Sequence, residues 1–188
     1  MTAPTRLGYR HYTTADVADI RDILVDIYAE VYADRLSEPF LTADRFQDRL
    51  NWHLSEPNWG AVVGYVDDQP VGYTYGASRS ANASYWQHVS PTPVAEFARE
   101  TGTRTFALFE LMVRAPWRKT GVSRTLHDEL VCSRHEDRVC LFVEHDHPKV
   151  RALYETWGYA IVGVSRPRPE APVYDVMVLD RSDRLQHR

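Results

Sequence analysis

The sequence predicts an α/β fold, a single domain in which strands and helices alternate along most of the chain. Three observations point there: apolar residues recur at three- and four-residue steps in several segments, β-rich runs of strand length lie between them, and Gly, Pro and Asn punctuate the joins. The 188 residues suit one domain, and 44% hydrophobic composition is enough for a substantial core.

The elements follow in order. Residues 6–13, RLGYRHYT, read as a first strand, and Thr14 or Asp16 offers a side-chain oxygen to start a helix. Val17, Ile20, Leu24, Ile27 and Val31 then form one stripe of an amphipathic helix. A second helix is expected from Thr42 to near Ser55, with Phe46, Leu50 and Leu54 on one side and Glu56-Pro57-Asn58 as its stop. WGAVVGYVD and PVGYTYGAS form a hairpin through Asp67-Asp68-Gln69, and the glycines at 60, 64, 72 and 76 imply bulges or close backbone approach. The segment 78–103 is polar, carries prolines and holds at most a short helix around Val94 to Arg99. A connection of that length covers a site or is disordered, and Tyr85 and Trp86 favour covering.

FALFELMVR is the next strand, followed by a helix that buries Leu126 and Leu130 and ends near His135. VCLFV is continuously apolar, as a central parallel strand would be. A further helix has Pro148 in its first turn, places Val150, Leu153, Tyr154 and Trp157 on one face, and ends at Gly158. Residues 159–164 and 173–179 supply two last strands, and the tail 181–188 is expected to fray. There is no internal repeat and no domain linker.

Lys and Arg number 22 against 26 acidic residues, a net charge of −4. The balance argues against coating nucleic acid or an anionic membrane. No segment has the apolar length of a signal peptide or a bilayer span, so a cytoplasmic protein is expected. Cys132 and Cys140 fit that compartment as buried small hydrophobes rather than a disulfide.

The stretch WRKTGVSRTLHDEL, residues 117–130, carries the chemistry. A charged turn feeding a helix start gathers unpaired N–H groups and the positive end of the helix dipole at one point. Gly121 lets a bulky anion approach the backbone, and Arg118, Lys119 and Arg124 add charge around it. A pyrophosphate or phosphate ester is the natural occupant; an exposed turn with solvated arginines is the alternative. Neither G-x-x-x-x-G-K-[ST] nor G-x-G-x-x-G is present, which argues against a nucleotide triphosphatase and a dinucleotide site.

With these residues in place the chain resembles the GCN5-related N-acetyltransferase (GNAT) superfamily, most strongly from Phe106 to Gly163. The family's pyrophosphate motif, Q/R-x-x-G-x-G/A, is similar to RKTGVS, with Ser123 where glycine or alanine is usual. The second signature, N-x-x-A-x-x-L-Y-E-x-x-G-F, is similar to HPKVRALYETWGY, with His147 for the asparagine and Val150 for the alanine. The resemblance implies a mixed, twisted sheet of about seven strands with helices on both faces. It implies acetyl-CoA held by Leu111, Met112 and Val113 along its pantetheine arm, by the turn Arg118, Lys119, Thr120, Gly121, Val122, Ser123 and Arg124 at its pyrophosphate, and by His147.

The implied reaction is acetyl transfer to a primary amine by direct attack in a ternary complex. An ammonium of pKa ~10.4 leaves only about one molecule in a thousand nucleophilic at neutral pH, so a base is needed. Glu110 is the first choice, acting through a water if a strand bulge turns it inward, with Glu144 in reserve. Tyr154 matches the family's general acid toward the leaving thiolate. His145 and His147 have no evident third ligand, so no metal is expected. For the acceptor, Tyr28, Tyr32, Tyr73, Tyr75, Tyr85 and Trp86 with Glu30, Asp34 and Glu38 would suit a cationic small molecule with an apolar part. Core tyrosines and a solvated acidic face explain the same residues. A protein acetyltransferase and a non-catalytic acyl-CoA sensor are the alternatives, and the apolar final hairpin favours a homodimer.

Overall fold

The computed structural model describes residues 7–169 and 171–182; the start of the expected first strand at Arg6 and the expected tail from 183 onward lie outside the described residues. In chain order the elements are β1 (Leu7–Thr13), α1 (Val17–Val31), α2 (Ala43–Leu54), β2 (Gly60–Val66), β3 (Gln69–Ser78), β4 (Val89–Ser90), α3 (Ala95–Ala98), β5 (Thr105–Val113), α4 (Val122–Cys132), β6 (Arg138–Glu144), α5 (Pro148–Thr156), β7 (Ala160–Ser165) and β8 (Tyr174–Asp180). Among the described residues eight strands hydrogen-bond in the order β1-β2-β3-β5-β6-β8-β7-β4, one more than the sequence suggests. The eighth is β4, two residues paired with Ser165 and Val164 of β7, too short to leave a periodic signal.

Two compact units organise the chain. One comprises the described residues of Met1–Ala77 with Phe109–Arg134, the other those of Ser78–Leu108 with His135–Arg188. In the first unit, β1 and β3 flank β2 in antiparallel registers. The β2–β3 turn places Asp67 (φ 48°) and Asp68 (φ 62°) in the left-handed region, the geometry of the tight hairpin whose twist matches its strands. Between Gly64 and Tyr65 the register shifts by a bulge, one of the irregularities the strand glycines foretell.

Helices cover both faces of this sheet. On one face the α1 stripe delivers Ile20, Leu24 and Ile27, each at most 1% exposed, onto Ala61, Val63, Tyr73 and Tyr75. Each such aliphatic side chain contributes about 1.5–3 kcal/mol by leaving water. α2 adds Phe46 and Leu50 to the same core, and its start is capped by Thr42, whose hydroxyl accepts from the Arg45 N–H at 3.2 Å. On the other face Leu126 of α4 packs over Gly64 and Gly72. A Cβ on Gly72 would sit 2.6 Å from the Met112 carbonyl, so glycine there permits the close approach of β3 to β5.

In the second unit, β6 pairs antiparallel with β8 along its whole length, and β8 with β7. The segment 78–103 is more ordered than its composition suggests: a 3₁₀ turn at Tyr85–His88, β4 and the short α3 give it shape. A buried carboxylate anchors it. Glu100 Oε1 accepts from Trp86 Nε1 (2.7 Å), Thr105 Oγ1 (2.7 Å) and Arg138 Nη2 (2.9 Å). Removing one partner of such a buried pair costs about 3–5 kcal/mol, so these contacts fix the segment's path.

Candidate active site

The site-forming strand is β5. Its parallel ladder with β6 runs only through Thr105–Arg138, Phe106–Val139 and Ala107–Cys140, although β5 continues to Val113. Phe109 and Met112 both pack against the core of α1, α2 and β3. A three-residue step between two residues facing one core breaks the two-residue alternation of a strand, so β5 carries an extra residue here. Within it, the Thr74 hydroxyl donates to the Glu110 carbonyl at 2.9 Å.

Glu110 itself is part-buried, and its charge is felt on the α1–α2 side. Burial raises the Tyr28 phenol to about 12, with the Glu110 carboxylate adding to the effect and Arg49 opposing it. Tyr73 and Tyr75 are held well above the ordinary phenol value by burial first and by Glu110 next. Burial, the largest single effect, would lower the Arg49 guanidinium, but Glu110, Tyr28 and Tyr75 together outweigh it and the net direction is up.

Beyond β5, the Arg114 N–H donates to the Val71 carbonyl (2.9 Å) and Arg118 Nε to the Val113 carbonyl (3.1 Å), pinning the turn. Lys119 adopts φ 63°, and Gly121, φ 91°, is the residue before α4. No side chain caps this helix start, unlike that of α2. An added Cβ on Gly121 would meet no atom within 4 Å, so the space above it is open. Arg118, Lys119, Thr120, Gly121 and Arg124 are exposed, Ser123 is part-buried and Val122 anchors the turn in the interior. Arg124 shares its charge with Asp128 at 2.6 Å. Leu111 is part-buried, Met112 and Val113 buried. The first unit therefore gathers Glu110, the Leu111–Val113 segment and the entire Arg118–Arg124 turn.

The aromatic candidates divide. Tyr28 and Tyr75 are core residues at most 1% exposed, their hydroxyls engaged with the Leu41 carbonyl (3.1 Å) and His53 Nδ1 (3.1 Å). Tyr32 is part-buried beside Tyr28, ring centroids 4.7 Å apart. Tyr85 and Trp86 belong to the second unit. Trp86 is buried on Glu100, and the Tyr85 hydroxyl lies 2.9 Å from Cys140 Sγ while its ring stacks on Phe142.

Tyr154 and His147 also lie in the second unit. His147 is the exposed residue before α5, and Tyr154 is 7% exposed, set edge-on against Trp157 and Tyr159. The two histidines face different partners. His145 Nδ1 donates to Asp175 (2.7 Å), which also accepts from Arg151 (2.9 Å), whereas donor atoms of His147, Glu144 and Asp146 lie within 4.8 Å of one another. The expected His145 and His147 pair is thus split, and the turn at Asp146 brings Glu144 and Asp146, not His145, beside His147.

No protein-family model matches the chain, and neither does any curated protein sequence. Solved structures do. A protein assigned to the GNAT acetyltransferases from Desulfovibrio desulfuricans aligns over 93% of this chain and 99% of its own, with TM-score 0.63 and 16% identity. The fold is that of the GNAT acetyltransferases. The PaiA N-acetyltransferase of Thermoplasma acidophilum, solved with coenzyme A, aligns over 93% of this chain and 99% of its own at TM-score 0.55 and 11% identity. An aminoglycoside 6'-acetyltransferase type Ii aligns over 92% and 96% at TM-score 0.58 and 21% identity.

Within this GNAT fold one sequence expectation is corrected. Cys132, expected to be buried, is exposed at the last residue of α4; Cys140 is buried, and both are free thiols. The acids Glu30, Asp34 and Glu38 are exposed, as a solvated face would be, and two of them carry partners: Glu30 pairs with Arg114, and Glu38 with Arg35 at 2.8 Å. Sequence reasoning also passed over Arg49, whose charge position becomes meaningful only once α2 is packed beside β5. Among the described residues no helix is long and apolar enough to cross a membrane.

Proposed function

We propose that the protein is an acetyl-CoA-dependent N-acetyltransferase that acetylates a primary amine of a small molecule by direct attack in a ternary complex. The observation that carries this reading is the Gly121 turn: an uncapped helix start, flanked by exposed cations, with open space where a side chain would otherwise stand. Main-chain N–H groups there suit a pyrophosphate, and the stretch of β5 beyond its ladder with β6 has backbone groups suited to a pantetheine amide.

Acetyl-CoA, when bound, supplies the acyl group as an activated thioester. The chain's residues do the rest. Arg118 and Lys119 balance phosphate charge. Glu110, through a water, takes the proton that frees the amine lone pair; the nitrogen then bonds to the acetyl carbon as the carbon–sulfur bond breaks. Tyr154 donates a proton to the departing sulfur and is reprotonated from solvent as the acetylated nitrogen sheds its second proton to solvent, and Glu110 returns its proton to solvent. The fold likeness to small-molecule acetyltransferases supports an amine acceptor.

Steady-state thiol release from acetyl-CoA with a panel of amines tests the reading. Tyr154→Phe should lower kcat by roughly 10²-fold or more while CoA affinity holds. Normal turnover by a folded variant would remove Tyr154 from the acid role. CoA binding without turnover of any amine would leave an acyl-CoA sensor.

A further inference from the structure

The placement of Tyr154 depends on what docks α5, and apolar packing supplies little of it. Of the nine residues of this helix only Tyr154 is buried and only Arg151 is part-buried; Val150 and Leu153 are each 42% exposed. No side chain caps the helix start. What α5 has instead is Asp175. This residue lies on β8 between Val143 of β6 and Val164 of β7, and its side chain is 3% exposed. Oδ2 accepts from Arg151 Nη1 at 2.9 Å, and Oδ1 accepts from His145 Nδ1 at 2.7 Å. His145 also donates its backbone N–H to the Val173 carbonyl at 2.9 Å. One buried acid therefore grips both α5 and the turn that leads into it.

We propose that Asp175 is a positioning residue: by holding Arg151 and His145 it sets where α5 sits, and so where the Tyr154 hydroxyl stands relative to the thioester sulfur. The proposal rests on the transferase reading above, in which Tyr154 is the acid. Arg151 and Tyr154 are three residues apart, so they share one face of α5 and a shift of one carries the other. Trp157 and Tyr159 border the Tyr154 ring edge-on, yet both follow it closely in the chain, whereas Asp175 ties the helix to a strand distant in sequence. A charge-assisted bond to a carboxylate is short and directional, as a positioning contact needs. A proton donor has to stand within hydrogen-bond reach of the sulfur, so a small displacement of α5 slows the transfer. Cofactor binding rests on the Gly121 turn and is left intact.

Thiol release with the best acceptor of an amine panel tests it in the whole protein, comparing wild type, Asp175→Asn, Tyr154→Phe and the double variant. Asp175→Asn should lower kcat by about tenfold or more while the dissociation constant of CoA holds. In the Tyr154→Phe background the same substitution should lower kcat no further. An unchanged kcat in folded Asp175→Asn overturns the proposal, and so does an equal fold-loss in both backgrounds, the mark of a structural role. Arg151→Met removes the tether from its part-exposed end and should repeat the pattern, with Arg151→Lys restoring part of the rate; this pair decides should Asp175→Asn fail to fold. A readout without turnover keeps the two readings apart. In protein isotope-labelled at the tyrosine ζ carbon, the resonance lost in Tyr154→Phe belongs to Tyr154, and Asp175→Asn or Arg151→Met should shift it while the Tyr28 resonance stays in place. An unmoved Tyr154 resonance overturns the positioning. A moved one beside normal turnover in Tyr154→Phe upholds the tether while the acid role falls, and a moved one beside no turnover of any amine upholds the tether while the transferase reading falls.

Discussion

Replacing Gly121 with alanine separates what the fold needs at the turn from what a ligand needs. The residue stands at φ 91°, ψ −11°, where an L side chain costs roughly 1–2 kcal/mol. Because the added Cβ meets no protein atom within 4 Å, no steric cost is added to that figure. For a chain of this size the thermal midpoint should fall by about 2–8 °C. Affinity for CoA should fall further than backbone strain explains: a methyl group at the open helix start occupies volume that a pyrophosphate oxygen needs. A loss of at least about tenfold, or ~1.4 kcal/mol, is expected by titration calorimetry on the folded variant. Scanning calorimetry of the apo protein gives the first quantity, and the titration gives the second. A variant with a lowered midpoint and wild-type CoA affinity would refute the placement of the pyrophosphate, whatever else the protein binds.

Other outcomes follow from groups outside the turn. Burial pushes the Asp175 carboxyl up, but hydrogen bonds from His145 and Arg151 outweigh it and hold the carboxyl below the usual range. A depressed folded pKa stabilises above the unfolded value of about 3.9 and ceases to do so as pH falls through the folded one. Asp175→Asn should therefore lower the urea midpoint at pH 7 by an amount equivalent to about 1–3 kcal/mol, and the gap to wild type should narrow below about pH 4; a gap that widens in acid would contradict the pairing. Burial raises the Cys140 thiol to about 11, so iodoacetamide at pH 7.5 should label only Cys132 in the native chain and both cysteines in guanidinium. Equal labelling of the two in the native protein would place Cys140 at the surface.

Local signals carried far into this fold. The residues Val17 to Val31 that mark the first amphipathic stripe bound the observed α1, and Thr42 and Ser55 flank α2 as its caps. These elements were legible because a periodic apolar face and a capping side chain are both properties of neighbouring residues. β4 was not, since two residues become a strand only through their partners on β7. The same division holds for the site. Gly121 and its cations announce an anion-binding turn within a few residues, whereas the Glu100–Arg138 anchor joins residues 38 positions apart. Arg49 and Glu110 are further apart still, and their mutual influence depends on α2 lying against the sheet. The partner of Glu30 was not legible for a related reason: the residue is exposed along α1, and Arg114, which pairs with it, follows β5 far along the chain.

The central claim is that the turn at Gly121 holds the pyrophosphate of acetyl-CoA. The most direct test is the thermal midpoint of the purified protein with and without saturating acetyl-CoA, with ATP and NAD as controls. At a hundredfold excess over the dissociation constant, linkage gives about 2.7 kcal/mol, or roughly 5–11 °C for a chain of this length. A rise of that size with acetyl-CoA and little change with the controls is the predicted result. No shift with acetyl-CoA, or an equal shift with ATP, would contradict the claim.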